Sequence, residues 1–483
     1  MFGTVNSIRK SKRVVSAALA VGCATVVLSS VGPGVIAGSP AQASAPPLHV
    51  TWMRGFAAPA TPARYNRVGV VKVGPSSAKN VLVLEPGTSA GAAYFVPLAR
   101  WIVSKTSGWQ VWSVERRENL LEDQSVLNRF KNHQATVTQL YNYYLGYIKN
   151  PSITHHIQNV APSTVQFAKQ WGMNVAVQDL RVVIGAAAKL GGKVVLGGHS
   201  LGGTVVTAYA TWDFGGQAGA HNLAGLVYID GGSSPTPVST QTATQALQAL
   251  DAPGASPWLS FGGIVAPYAG LFEATGSASA LLDPNAPSLG QTSGLLPTDI
   301  VPPVPVTNVG QYGYALNAAT SPASLLAAQG HLGQGVAAQG PVHGWNGAGA
   351  LTPITRFATM FSGAGMQNVD GVEWYFPQRL TDDSGAVANG NANPSQSVLN
   401  VDATMGHDLP KNLRIYAFGA RLGGASVPAD AQILAQQSGI PMRNLTLANY
   451  QSTYSHNDPA GAYPTNAFFN GLVPFLGRVG GRR

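Results

Sequence analysis

Cysteine is all but absent: the 483 residues contain one, Cys23, inside an apolar N-terminal stretch. A mature chain without that stretch holds no disulfide, although export would permit one, and no thiolate metal site. Charge is also scarce, at 10% of residues against ~25% in an average soluble domain. Four of the 29 basic residues (Arg9, Lys10, Lys12 and Arg13) fall in the same N-terminal region, leaving 25 against 20 acidic ones. No Lys/Arg run interleaved with aromatics follows, which argues against a nucleic-acid partner. Beyond the N-terminal stretch no 18 residues run uninterruptedly apolar, so no integral membrane span is expected once it is cleaved. Scarce charge with 45% apolar residues excludes disorder of the highly charged kind and leaves ample material for a core.

The N-terminal stretch itself has the three parts of a secretory signal. Four cations precede an apolar run from Val14 to about Ala37, and Ser39-Pro40-Ala41-Gln42-Ala43-Ser44-Ala45 supplies an A-x-A cleavage site. Cleavage after Ala43 is expected, because Pro46 would be a poor first residue after Ala45. The expected location is secreted, with an uncleaved anchor or a lipoprotein at Cys23 as membrane- or cell-wall-associated alternatives.

Residues 44–66 read as a Pro- and Ala-rich extension over the surface. From Val68 onward short β-branched runs alternate with helix-like segments: Val68–Val73, Asn80–Leu84, Gln110–Val114, Lys193–Leu196, Leu226–Ile229, Arg414–Phe418 and Leu445–Ala448. Continuous apolar runs separated by helices predict an α/β fold, with a buried, mostly parallel sheet. The rhythm breaks over 233–410, which is rich in Ala, Gly, Ser, Pro, Gln and Asn. A structureless loop of that length is not credible in a compact domain, so the interval reads as an inserted cap between two parts of a core, 67–232 and 411–483. Its aromatics, Trp258, Phe261, Tyr268, Phe272, Trp345, Phe357, Phe361, Trp374, Tyr375 and Phe376, either pack on something apolar or fill a small core of their own.

Chemistry concentrates in Lys193-Val-Val-Leu-Gly-Gly-His-Ser-Leu-Gly-Gly-Thr-Val-Val. Gly198-His199-Ser200-Leu201-Gly202 is a G-x-S-x-G motif between a β-branched strand and a helix of small residues. Such a turn exposes the serine above the sheet, and small residues are needed two before and two after it. The helix that follows aims its first N–H groups at developing negative charge. With 57 glycines in the chain the motif alone is weak, and Gly87-Thr88-Ser89-Ala90-Gly91 matches it too. Context favours Ser200, whose strand belongs near the middle of the sheet.

With this elbow, reading G-H-S-x-G-G, the chain resembles the secreted lipase and esterase branch of the α/β-hydrolase fold over about 65–232 and 411–480. The resemblance implies a Ser–acid–His triad in that chain order, an oxyanion hole, and a cap inserted after the sixth core strand, where 233–410 falls. Pro86-Gly87 stands where the family has His-Gly, which implies the Thr88 N–H as one oxyanion donor and the Leu201 N–H as the other. Proline for histidine is a departure that leaves a part for Ser89 open. Among ten histidines, His456 alone follows the last strand, where the family places its catalytic base. His49, His133, His155, His156, His221, His331, His343 and His407 lie elsewhere, and His199 sits within the elbow.

The acid has several candidates. No carboxylate follows the seventh strand before Asp430, which opens a helical segment and needs no catalytic role there. Asp230 ends the sixth strand, where some lipases of the fold carry the acid, and a buried aspartate needs a partner such as His456. Asp402 and Asp408 remain alternatives. Glu115-Arg116-Arg117-Glu118-Asn119 with Glu122-Asp123 is the densest charge cluster, either for polar substrate groups or for loop-tying ion pairs. The expected activity is hydrolysis of carboxylic esters, small-molecule or lipid-like hydrophobic ones, with no cofactor or metal implied. An exported aminopeptidase would need insertion carboxylates for a substrate ammonium (Glu273, Asp283, Asp370, Glu373, Asp382 or Asp383), and acyl transfer is a further alternative. Expressed in an exporting bacterium, the released protein is expected to begin at Ser44, which N-terminal sequencing and intact mass check directly.

Overall fold

The computed structural model describes residues 46–481, so the signal segment 1–43 lies outside the described residues. Eight strands form the main sheet: β1 (Leu48–Arg54), β2 (Arg67–Val73), β3 (Asn80–Glu85), β4 (Trp109–Glu115), β5 (Val194–His199), β6 (Gly225–Ile229), β7 (Arg414–Gly419) and β8 (Leu445–Asn449). Their spatial order is β1-β2-β4-β3-β5-β6-β7-β8. β2 pairs antiparallel with both β1 and β4, and every other pairing is parallel. Seven strands coincide with the apolar runs to within three residues, β5 running on from the expected Leu196 to His199.

The eighth departs from the sequence reading. Residues 48–54 were expected in a surface extension, yet Leu48–Arg54 pairs along its whole length with β2. Its polar His49, Thr51 and Arg54 interrupt the apolar run that marks the buried strands, as suits an edge strand with one solvated face.

Alternation along the strands sorts side chains to two faces. Val81 and Val83 of β3, with Leu196 of β5 and Leu226 and Tyr228 of β6, share a cluster with helices α2 (Met173–Ala188), α3 (Leu201–Thr211) and α6 (Ser426–Gln437). Leu82, Leu84, Val195, Val227 and Ile229 point the other way, against α1 (Val96–Lys105) and α7 (Ala467–Val479). The sheet is thus buried on both faces, which is why its strands read as unbroken apolar runs.

The interval 233–410 enters every cluster. Ala243, Phe376, Leu380 and Leu399 join the first layer, and Tyr312, Leu332, Phe357 and Met360 join the second. Trp258, Trp374 and Tyr375 pack with Leu127, Phe130, Tyr144 and Trp171 in a third. Its helices include Thr240–Asp251, α4 (Tyr268–Leu282), Asn308–Leu316 and α5 (Ile354–Ser362).

The charge cluster after β4 turns inward. Arg117, 2% exposed, meets Asp179 of α2 through Nε at 3.0 Å and Nη2 at 2.6 Å. The same guanidinium donates to Asn66 Oδ1 and the Phe56 carbonyl, and Asp179 accepts the Phe56 N–H. One ion pair therefore pins the strand connection 55–66 to α2. Arg117→Met would strand a buried carboxylate, and a loss of about 3–5 kcal/mol is expected, read as a lower urea midpoint at unchanged m-value.

Candidate active site

Ser200 occupies the sharp turn between β5 and α3, with φ 55° and ψ −127°. A positive φ is strained for a non-glycine residue, so the surroundings must enforce it. They do so by contact. A Cβ on Gly198 would collide with the Gly202 carbonyl, and one on Gly202 with the Glu85 carbonyl. Glycine at these two places lets strand, turn and helix close on one another. The Ser200 N–H donates to the Ile229 carbonyl at 3.0 Å, locking the turn onto the end of β6. Its hydroxyl makes no capping bond to α3 and stays available for chemistry.

Asp230, the next residue after β6, also has positive φ, 45°, and is 1% exposed. Its carboxylate collects four donors. Oδ1 accepts the N–H groups of Ala420 (2.6 Å) and Gly423 (2.9 Å), and Oδ2 accepts those of Leu422 (3.1 Å) and the His456 ring (Nδ1, 2.6 Å). Burial by itself raises the carboxyl's pKa, but the hydrogen bond and charge of His456, with the Ala420 N–H, outweigh it and hold Asp230 below the ordinary aspartate range. With Nδ1 donating, the neutral His456 ring presents Nε2 as an acceptor.

His456, 1% exposed, comes from the loop after β8. Its ring lies 4.3 Å, centroid to centroid, from that of His199, whose Nε2 donates to the His456 carbonyl at 2.9 Å. Burial and the neighbouring His456 charge lower the pKa of His199 to about 3, so His199 is a neutral buttress rather than a base. Sequence positions 200, 230 and 456 thus converge at one end of the sheet. Asp402 and Asp408 are exposed, Asp408 lying beside His221, and Asp430 sits in α6; only Asp230 of the four bonds His456.

Both backbone donors named from the sequence lie at the same edge. Leu201 opens α3. Thr88 is the second residue of a turn closed by Ala90 N–H to the Gly87 carbonyl at 3.3 Å, a position whose own N–H the turn leaves unused. A Cβ built on Gly87 would stand 2.9 Å from Ser200 Cβ, so the loop touches the serine. Ser89, at φ 55°, turns its hydroxyl away, to the Glu373 carbonyl at 2.8 Å.

Of the carboxylates considered for a substrate ammonium, Asp370 lies close enough to Glu273 to raise its pKa, and Glu373 lies beside Glu115, Glu118 and Glu122. Asp370, Glu373 and Asp383 are buried; Asp383 pairs with Arg379, and Glu273 accepts from Tyr312 at 2.6 Å. Burial lifts Asp370 and Glu273 each to about 7 and Glu115, which accepts the Ala92 N–H at 2.9 Å, to about 8.

One contributor went unread in the sequence. Asp458, fully buried, accepts from His331 (N 3.0 Å, Nδ1 2.6 Å), Thr352 Oγ1 (2.7 Å) and the Ser455 N–H (2.7 Å). It thereby ties the His456 loop to the insertion. Asn457 adds bonds to the Ala327 and Gln329 carbonyls and accepts from Tyr94 Oη at 2.9 Å. A carboxylate two residues after the candidate base was the available signal. Arg116 belongs to the cluster read as serving either polar substrate groups or loop-tying ion pairs, and the ion pairs are what forms: it meets Glu85 at 2.7 Å.

Asp230→Asn would turn an amide NH2 toward donors that need an acceptor. A loss of about 2–4 kcal/mol at neutral pH is expected. Because the folded pKa of Asp230 is depressed, its stabilisation is present above the unfolded pKa and vanishes as pH falls through the folded one. The gap between wild type and variant should therefore close in acid below the ordinary aspartate range, as measured by urea titrations across pH.

No family model and no curated protein matches the chain. Among solved structures, it is similar to a putative lipase from Sulfolobus solfataricus (13% identity, 89% of this chain and 93% of that one, TM-score 0.43). It is also similar to a soluble variant of monoglyceride lipase from Saccharomyces cerevisiae (9%, 92% and 98%, TM-score 0.37). A third is the thioesterase domain from the curacin biosynthetic pathway (11%, 85% and 94%, TM-score 0.38). Function is therefore a matter of this chain's own residues. Its sheet order, with β2 alone reversed between β1 and β4, the serine elbow after β5 and the insertion after β6 give it the α/β-hydrolase fold.

Proposed function

We propose that the protein is an exported serine hydrolase that cleaves carboxylic esters through an acyl-enzyme. The observation that carries this reading is the His456–Asp230 bond at 2.6 Å, made at the sheet end where the strained elbow presents Ser200. Ser200 Oγ attacks the ester carbonyl while His456 Nε2 takes its proton. Asp230 fixes the ring tautomer and stabilises the imidazolium that forms. The carbonyl oxygen becomes an oxyanion, held by the N–H groups of Thr88 and Leu201. Collapse expels the alcohol, protonated by His456, and water, activated by the same ring, releases the acid and restores Ser200.

An apolar acyl or alcohol group suits the surroundings. Phe361 of α5 meets Tyr94 edge-on at 5.6 Å and Phe357 at 5.0 Å, and Tyr94 stacks on His199 at 5.0 Å. The insertion thus contributes an aromatic wall beside the elbow, which supports the reading of 233–410 as a cap. Export is supported by the signal-like segment 1–43.

The protein from Ser44 onward should hydrolyse chromogenic esters, with Ser200→Ala and His456→Ala each reducing kcat by at least about 10³-fold. A chain-length series from acetate to palmitate then reports the depth of the apolar site. Turnover of amino-acid anilides in place of esters would assign a peptidase, and a Ser200→Ala variant as active as wild type would sink the mechanism.

A further inference from the structure

We propose that Arg116 is a positioning residue for the oxyanion loop: by gripping the carbonyl side of the Gly87–Thr88 peptide, it aims the Thr88 N–H at Ser200. The proposal rests on the ester-hydrolase reading and deepens it.

Arg116 directly follows β4, which runs parallel to β3 with Leu84 opposite Ser113. The side chain therefore emerges at the edge where Glu85-Pro86-Gly87 leaves β3. Its guanidinium makes four hydrogen bonds, all to one short loop. Nη1 donates to Glu85 Oε1 at 2.7 Å and the Pro86 carbonyl at 3.0 Å; Nη2 donates to the carbonyls of Gly87 at 2.7 Å and Ala90 at 2.9 Å. In a trans peptide the C=O and the following N–H point in opposite directions. Holding the Gly87 oxygen on the Arg116 side therefore sends the Thr88 N–H out on the other side. Gly87 itself abuts the elbow, a Cβ built on it standing 2.9 Å from Ser200 Cβ.

The turn's own bond to the Gly87 carbonyl, 3.3 Å from Ala90 N, is long. The charged bond at 2.7 Å is the stronger restraint. It also draws electron density toward the oxygen and sharpens the N–H dipole. The guanidinium is held on its remaining sides, with Glu118 Oε1 3.3 Å from Nε and the Phe376 ring 5.3 Å from Cζ. It is only 7% exposed, and both Nη groups are spent on the loop. A buried ion pair is an inefficient means of stabilising a fold; here three loop carbonyls are fixed that no apolar replacement could hold. A planar fork is required, because a lysine ammonium cannot span the Pro86, Gly87 and Ala90 oxygens at once.

The test is Arg116→Lys, with active sites counted by fluorophosphonate titration so that unfolded protein does not enter the rate. A fall in kcat of about 100-fold is expected, the order seen when one oxyanion donor is lost, with KM within threefold of wild type. Affinity for a trifluoromethyl ketone, which forms the tetrahedral adduct, should fall in parallel with kcat/KM. Affinity for uncleaved ester, measured in a Ser200→Ala background, should hold. A kcat within threefold of wild type, or a loss confined to KM with the ketone unaffected, overturns the proposal. If Arg116→Lys yields no titratable protein, Glu85→Gln decides: it keeps an acceptor but removes the charge fixing Nη1. It should show the same split at about tenfold, and an unchanged kcat overturns the role. Ser200→Ala hydrolysing as fast as wild type would overturn the hydrolase reading and this role together. An inactive Ser200→Ala beside a fully active Arg116→Lys would remove the role of Arg116 alone.

Discussion

Burying the Asp230 charge is the constraint on which the working end of the sheet depends. A carboxylate at 1% exposure is tolerable only if donors replace its water, and four are supplied from two different loops. Three are backbone N–H groups between Ala420 and Gly423, which fix the path of the chain as it leaves β7. The fourth is His456. The requirement of one charge thus sets the loop after β7, the placement of the ring after β8 and the ring's tautomer. The elbow is locked to the same point, since the Ser200 N–H bonds Ile229, the residue before Asp230.

The same logic recurs twice around that centre. Asp458 gathers donors from His331, Thr352 and Ser455, so the loop carrying His456 is held from outside by the insertion. Arg116 offers the inverse case, one buried cation serving three carbonyls and a carboxylate of the loop after β3. Asp230, Asp458 and Arg116 are three of the chain's buried charges, and each holds backbone in place. Ser89, Ser200 and Asp230, all non-glycine residues at positive φ, lie at this end of the sheet. Strain there is sustained by the dense polar contacts and close glycine packing around it.

Much of this was legible in the chain. Strands buried on both faces are largely apolar, so β2 to β7 announced themselves as apolar runs, and the half-buried edge strand β8 still showed Leu445, Leu447 and Ala448. β1 did not, because its polar His49, Thr51 and Arg54 break up the apolar run. The elbow was legible because Gly198 and Gly202 answer to backbone contacts that admit no side chain. Asp230 was the foremost of four candidate acids, and only contact with His456 separates it from Asp402, Asp408 and Asp430. The insertion's aromatics could be counted but not assigned, because their partners, such as Trp171 and Tyr144, stand far away in sequence.

The sequence by itself determined the local matters: which runs are strands, where the serine turn must fall, and which histidine follows the last strand. These are set by periodicity and by steric demands between near neighbours. Tertiary structure alone decided the sense of Arg116, whose neighbours in the chain are further charges and whose partners are carbonyls about thirty residues earlier. It likewise decided that Asp458 serves His331 while Asp230 serves His456. Hydrogen-bond partnership depends on distance in space, and a carboxylate in sequence carries no mark of which donor the fold will bring to it.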